Sequence, residues 1–127
     1  MNNMLLVSTY VARSKIHGWG LFANEDIQSG QIVWAFDPNF DIEIPADLLK
    51  CFLECDQNFV KTHAEYMAKR NTYILGNDGD IYMNHSDNPN LIDKENYMIA
   101  GENISKGDEI TCDYRTVKVL NFVPNEA

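Results

Sequence analysis

The chain has 127 residues, 45% of them hydrophobic, and a formal net charge of −9, which is the size and make-up of one domain with its own core. Ten Lys and Arg stand scattered against nineteen Asp and Glu. The basic stripe that neutralises phosphates is missing, so direct nucleic-acid binding and attraction to an anionic membrane are set aside, and the field favours a cationic partner such as a basic peptide or protein.

No apolar run approaches the roughly 18 residues of a membrane span, and the N-terminus lacks the basic n-region of a secretory signal. Cys51, Cys55 and Cys112 form an odd set with no Cys-x-x-Cys pair, as expected of free thiols in a reducing compartment. The expected setting is therefore intracellular, cytoplasmic or nuclear. Cys51 and Cys55 with His63 lack a fourth ligand, so they read as small side chains and no metal site is expected.

In chain order, Leu5 to Val11 is rich in β-branched and aromatic residues and reads as a strand. His17-Gly18-Trp19-Gly20 follows, where two glycines permit positive φ and close backbone approach, and Leu21-Phe22-Ala23 resumes an apolar run. Gln31 to Phe36 is a second strand, ended by Asp37-Pro38-Asn39, and Phe40 to Ile44 is a short extended stretch. Pro45 opens a helical insert of about residues 45–70, with Leu48, Leu49, Phe52, Leu53, Phe59, Val60, Ala64 and Met67 near helical period and a break allowed at Asp56-Gln57-Asn58. The insert reads as core packing. It can also wall a groove, which gives Glu54, Glu65 and Tyr66 a secondary claim.

Thr72 to Leu75 reads as a strand and Gly76 to Gly79 as a turn. Asn84 to Asn90 holds three Asn, one Asp, one Ser and one His, whose side chains bond local backbone groups, so it reads as a loop. Asn90 to Ile92, Asn96 to Ala100 and Glu109 to Asp113 are short strands separated by turns, and a tail of residues 115–127 carries Val117, Val119, Leu120 and Phe122. The chain has no repeat, linker or low-complexity tract. The fold class read from these elements is mostly β with one helical insert, in a single domain over residues 1–127.

Three stretches in fixed order carry more: His17-Gly18-Trp19-Gly20-Leu21-Phe22-Ala23, then Asn84-His85-Ser86-x-x-Pro89-Asn90, then Gly107-Asp108-Glu109-Ile110-Thr111-x-Asp113-Tyr114. Together they resemble the SET domain of protein-lysine N-methyltransferases. The Asn-His-Ser-x-x-Pro-Asn string is the most specific. The resemblance implies a β-clip type fold of several small curved sheets with a C-terminal pseudoknot, the last motif threading beneath the Asn-His-Ser segment. It implies S-adenosylmethionine as methyl donor, S-adenosylhomocysteine as product, and a lysine of a protein, histone-like and basic, as acceptor.

Residue by residue, the resemblance places His17, Gly18, Trp19 and Gly20 along the cofactor, Asn84 at its amino-acid end, the His85 backbone at its adenine, and the Tyr114 hydroxyl at the junction of methyl donor and amine. Tyr114 is thereby the catalytic residue. Tyr73, Tyr82, Cys112 and a lid, Phe122, are expected to form an apolar substrate channel. Methyl transfer suits such a site, since the protein need only position reactants and supply a neutral amine.

The chain departs from the family in several places. The usual Tyr-x-Gly is replaced by Trp34-Ala35-Phe36, leaving Tyr10, Phe36 or Tyr73 to wall the channel. Asp87 stands where a Cys is usual and no Cys-rich tail follows Tyr114, so the zinc of members with that tail is not expected. Cys112 is smaller than the aromatic often found there. A second reading, a module that binds cofactor or peptide without turnover, stays open, as does a homodimer through apolar tail surface.

Overall fold

The computed structural model describes residues 5–76 and 78–117. In chain order the elements are β1 (Thr9–Arg13), β2 (Trp19–Ala23), β3 (Ile32–Ala35), β4 (Ile42–Pro45), α1 (Ala46–Leu49), α2 (Glu54–His63), β5 (Glu65–Met67) and β6 (Thr72–Leu75). A 3-10 turn (Gly79–Tyr82) follows, then β7 (Asn84–His85), β8 (Leu91–Asp93), β9 (Tyr97–Ala100), β10 (Glu109–Cys112) and α3 (Tyr114–Val117). The described strands form three small sheets, ordered β1-β2-β10-β7, β3-β9-β8 and β4-β6-β5.

The first sheet positions the site. β1 and β2 pair antiparallel from Thr9–Ala23 to Arg13–Trp19. β10 then pairs antiparallel with β2 through Glu109–Phe22 and Ile110–Leu21, and parallel with β7 through Thr111–Asn84 and Cys112–His85. A late strand is thus inserted between two much earlier ones, so the second and third motifs lie side by side.

The main core sits where the sheets meet. Leu21, Val33, Trp34, Ile74, Ile104 and Ile110 are essentially sealed from solvent. A second cluster of Ile44, Leu49, Val60, Ala64 and Tyr73 lies under the helices. β6 serves both, because successive side chains of a strand face opposite ways: Ile74 enters the main core and Tyr73 the second cluster. Burial at about 25 cal/mol per Å² of apolar surface is the main drive for both.

Several expectations are corrected. The 45–70 insert is two short helices and a strand, and it breaks at residues 50–53 rather than at Asp56-Gln57-Asn58. Pro45 closes β4 and caps α1 from outside it. The first strand begins at Thr9, and Leu5 makes only an isolated bridge to Trp34. Asn84 and His85, read as loop, are a buried strand: their polar side chains satisfy partners across the sheet. The tail opens as α3, and Phe122 lies outside the described residues. Among the described residues, no helix is long and apolar enough to cross a membrane.

Candidate active site

The turn from Ser14 to Gly20 is built by polar groups from distant strands. Gly18 has φ +48°, a backbone state that glycine adopts without a Cβ penalty. At Gly20 a Cβ would collide with the Glu109 carboxylate, so only glycine lets that group approach. The Ser14 hydroxyl donates to Glu109 Oε1 at 2.8 Å, and its oxygen accepts from the Ile16 N–H at 2.9 Å. Asn84 Nδ2 donates to the carbonyls of His17 and Trp19 and to Glu109 Oε2, each at 3.0 Å.

Three acceptor oxygens around one end of the Asn84 amide fix which end is nitrogen. Its Oδ1 makes no hydrogen bond among the described residues, so it faces onward as an acceptor. Asn84 therefore ties the turn to β10 with its donor half and leaves its acceptor half for a ligand.

His85 is 4% exposed and its ring is held at both nitrogens. The Tyr114 backbone N–H donates to Nδ1 at 3.1 Å, and a backbone N–H can only donate. The ring hydrogen is therefore on Nε2, which donates to Asp87 Oδ1 at 2.8 Å. Asn90 clamps the neighbouring strand, accepting from the Thr111 N–H at 2.9 Å and donating to the Glu109 carbonyl at 2.8 Å.

The half-buried Tyr114 hydroxyl donates to the Met83 carbonyl at 2.8 Å. Burial, reinforced by Cys112 and Glu109, pushes this phenol well above its ordinary range. It stays protonated at any physiological pH. With its hydrogen on Met83, its lone pairs are what it offers to a ligand.

Two cavities meet here. A cleft of about 230 Å³ is lined by His17, Asn84, His85, Tyr114 and Tyr82, and by Ile16, Thr62, His63 and Ile81. A smaller one of about 30 Å³, room for a water-sized group, is lined by Trp34, Met83, Met98 and Cys112 with His63, Glu65 and Asp80. His63 lines both. Met83 lines the small cavity while its carbonyl holds the Tyr114 hydroxyl of the large one.

The structure thus gathers His17, Asn84, His85, Tyr114 and Tyr82 into one cleft, with Gly18 and Gly20 shaping the turn behind it. Trp19 is 56% exposed, with the Arg13 guanidinium 5.7 Å from its ring centroid, and it does not line the cleft. Cys112 reaches the small cavity, but Tyr73 does not: it is buried under the helices against Tyr66. Glu65 lines the small cavity, whereas Glu54 is exposed and Tyr66 bonds Asn71.

The small cavity takes its aromatic lining from Trp34, whereas Tyr10 stacks on Phe22 and Phe36 lies under Arg70. Glu65, Asp80 and His63 give the small cavity a polar side. Sequence reasoning missed Ile16, Thr62, His63 and Ile81 as walls, and Ser14 and Glu109 as the frame of the turn. The adjacency of Ile16 and Ile81 to the motifs was the available signal; α2 offered none. Cys51 and Cys55 are exposed, and His63 Nδ1 donates to the Ile81 carbonyl at 3.2 Å. Among the described residues no group of three His, Cys, Asp or Glu is arranged to hold a metal.

Comparison with known families is decisive at this point, because the model of the SET domain matches residues 18–115. The chain belongs to the SET-domain family. The identification from the three motifs is borne out, as is a mostly β fold with a short helical insert.

Among curated proteins, a Candida albicans histone-lysine N-methyltransferase, H3 lysine-36 specific, is 29% identical over 115 residues. That match covers 82% of this chain but only 13% of the relative's length. Among solved structures, a Plasmodium falciparum protein described as a candidate histone methyltransferase is 23% identical with a TM-score of 0.60, covering 87% of this SET-domain chain and 95% of that one. The Chaetomium thermophilum Polycomb Repressive Complex 2, autoinhibited and bound to S-adenosylmethionine, is 19% identical with a TM-score of 0.68, over 90% of this chain and 16% of that one. At these identities the structural likeness concerns the fold.

Proposed function

We propose that this SET domain transfers a methyl group from S-adenosylmethionine to a lysine side chain of a basic protein, with Tyr114 as catalytic residue. The observation that carries the reading is the Tyr114 hydroxyl, donated to the Met83 carbonyl where the cleft and the small cavity approach each other. The donor set fits the cofactor. The free Asn84 Oδ1 is an acceptor for an ammonium group, His17 borders the cleft from the turn, and Ile16 and Ile81 give apolar wall.

S-adenosylmethionine supplies a methyl group already activated by its sulfonium, so no metal or acid–base pair is needed. His17, Asn84 and His85 would hold the donor in the cleft, and the target amine would be presented from the small cavity, between Trp34, Met83 and Cys112. A free lysine, with a pKa near 10.4, is neutral in only about one molecule in a few thousand at pH 7. Burial among Trp34, Met83 and Met98 would raise that fraction by desolvation, against the pull of Glu65 and Asp80 toward the ammonium form. The Tyr114 hydroxyl, its hydrogen on Met83, would offer lone pairs to orient the amine N–H, and burial keeps the phenol protonated.

The substrate is read as a lysine-rich, histone-like protein, supported by the −9 charge of the chain and by the histone-lysine specificity of the Candida relative. The setting is read as intracellular. Tyr82 borders the cleft as a wall for peptide or cofactor.

Isothermal titration with S-adenosylmethionine, alongside a labelled-methyl assay on a lysine-rich protein, tests the reading. Saturable binding together with transfer supports it. Binding without transfer at any lysine-rich substrate would leave the alternative, a module that binds without turnover.

A further inference from the structure

Asp87 is a motif departure that the proposed function does not absorb, and its contacts with Arg115 and His85 lead to the Tyr114 backbone. Arg115 Nη2 donates to Asp87 Oδ1, and its Nε donates to Asp113 Oδ1 at 3.0 Å. Asp87 Oδ1 accepts from His85 Nε2 at 2.8 Å, and His85 Nδ1 accepts from the Tyr114 N–H at 3.1 Å. The chain of contacts runs from an exposed guanidinium to the peptide unit that carries the catalytic side chain. We propose that Asp87 and Arg115 are positioning residues that hold Tyr114 through neutral His85, making Tyr114 placement dependent on the protonation of His85.

The chemistry is directional. Only neutral His85 can accept the Tyr114 N–H. On protonation Nδ1 becomes a donor. It then opposes the Tyr114 N–H and finds a carboxylate close by, Asp113 Oδ1 at 3.7 Å. Among the described residues, His85 faces Asp87 on its own loop and Asp113 and Tyr114 from the segment after β10, with Arg115 paired to Asp87 beyond them. His17 and His63 share its cleft. Burial alone would raise Asp113, but hydrogen bonds and charge from Arg115, with His85 adding to them, bring it below its ordinary value.

Removing the negative Asp87 makes imidazolium less favourable, and removing the positive Arg115 makes it more so. The two substitutions therefore move the same titration in opposite directions.

This inference rests on the reading of Tyr114 as catalytic, and its test separates the two. Asp87→Asn keeps size and an acceptor oxygen, and Arg115→Ala alters an exposed residue, so both variants are expected to fold. In each, the Tyr114 amide resonance is followed by NMR against pH, with the His85 ring nitrogens reporting the tautomer. The acidic limb of kcat is measured alongside. Cofactor affinity by calorimetry is expected to stay within about twofold.

Asp87→Asn should shift both the amide titration and the kcat limb to lower pH, and Arg115→Ala should shift both to higher pH. If neither variant moves the amide titration, or if both move it the same way, the proposal is overturned. If the protein transfers no methyl group, the proposed function falls, while the amide titration still decides whether Asp87 and Arg115 act on Tyr114.

Discussion

The two rims of the cleft are built by different physics. One rim, the Ser14–Gly20 turn with β7, β10 and the start of α3, is stitched by hydrogen bonds between side chains and backbone far apart in sequence. The other rim, α2, contributes Thr62 and His63 and rests on apolar packing of Val60, Leu49 and Ala64 against Tyr73. Neither α1 nor α2 has a side-chain cap at its N-terminus, and Leu53 and Phe59 stay exposed. The polar rim sets positions to within a hydrogen-bond length. The helical rim supplies wall, and of its cleft-lining side chains His63 is tied by a hydrogen bond to the Ile81 carbonyl.

The sharpest way to break this contrast is at Asn84. Asn84→Ala strands two backbone carbonyls and the Glu109 carboxylate, and removes the free Oδ1. Cofactor affinity should fall at least about a hundredfold, with about 2–3 kcal/mol of stability lost. Asn84→Asp should be worse than Ala, because it sets a carboxylate against three acceptors. If Asn84→Asp binds cofactor as the wild type does, the amide does not frame the site. Calorimetry and urea melts read both variants.

Tyr114→Phe comes next and separates catalysis from architecture on the same rim. It removes one hydroxyl whose partner is the Met83 carbonyl. Methyl transfer should drop about 100-fold or more, as when an oriented transition-state contact is lost, while cofactor affinity changes little. Equal losses of kcat and cofactor binding would mean that the hydroxyl only holds the fold.

On the helical rim, Val60→Ala opens a small cavity between α2 and β6 at a buried position. It should cost about 1–3 kcal/mol, and KM should rise more than kcat falls. A kcat loss as large as that of Tyr114→Phe would show that this rim is as tightly coupled to the chemistry as the polar one.

The same contrast explains what the sequence could tell. β6 was legible because Thr72 to Leu75 is a plain β-branched and aromatic run. Its two-sidedness was not, so Tyr73 was assigned to the channel when period two sends it under the helices. Asn84 and His85 read as loop because local sequence cannot reveal a partner strand at Thr111 and Cys112. The motif order recovered the cleft despite that error, since each motif supplies one piece of the polar rim. The helical rim left no such mark: Thr62 and His63 reach the cleft through packing of α2, which periodicity alone does not aim.

The smallest effect asks whether a costly buried charge also exists away from the polar rim. Asp41, between β3 and β4, is 7% exposed. Its Oδ2 accepts from the Asp37 N–H at 2.8 Å, while Oδ1 is buried without a hydrogen bond among the described residues. Burial raises its pKa from 3.8, the Asp37 N–H opposes the rise, and nearby Asp78 and Asp37 add to it. Above this raised value the folded state carries a charge that the unfolded state holds at lower cost, so Asp41 destabilises at neutral pH. As pH falls through the folded value toward 3.8, the folded state takes up its proton first and the cost disappears. Asp41→Asn keeps an acceptor for the Asp37 N–H and removes the charge. It should stabilise by up to about 1 kcal/mol at pH 7 in urea melts, with the gain vanishing near pH 4. A gain that is the same at both pH values would mean that shape rather than charge separates the two side chains.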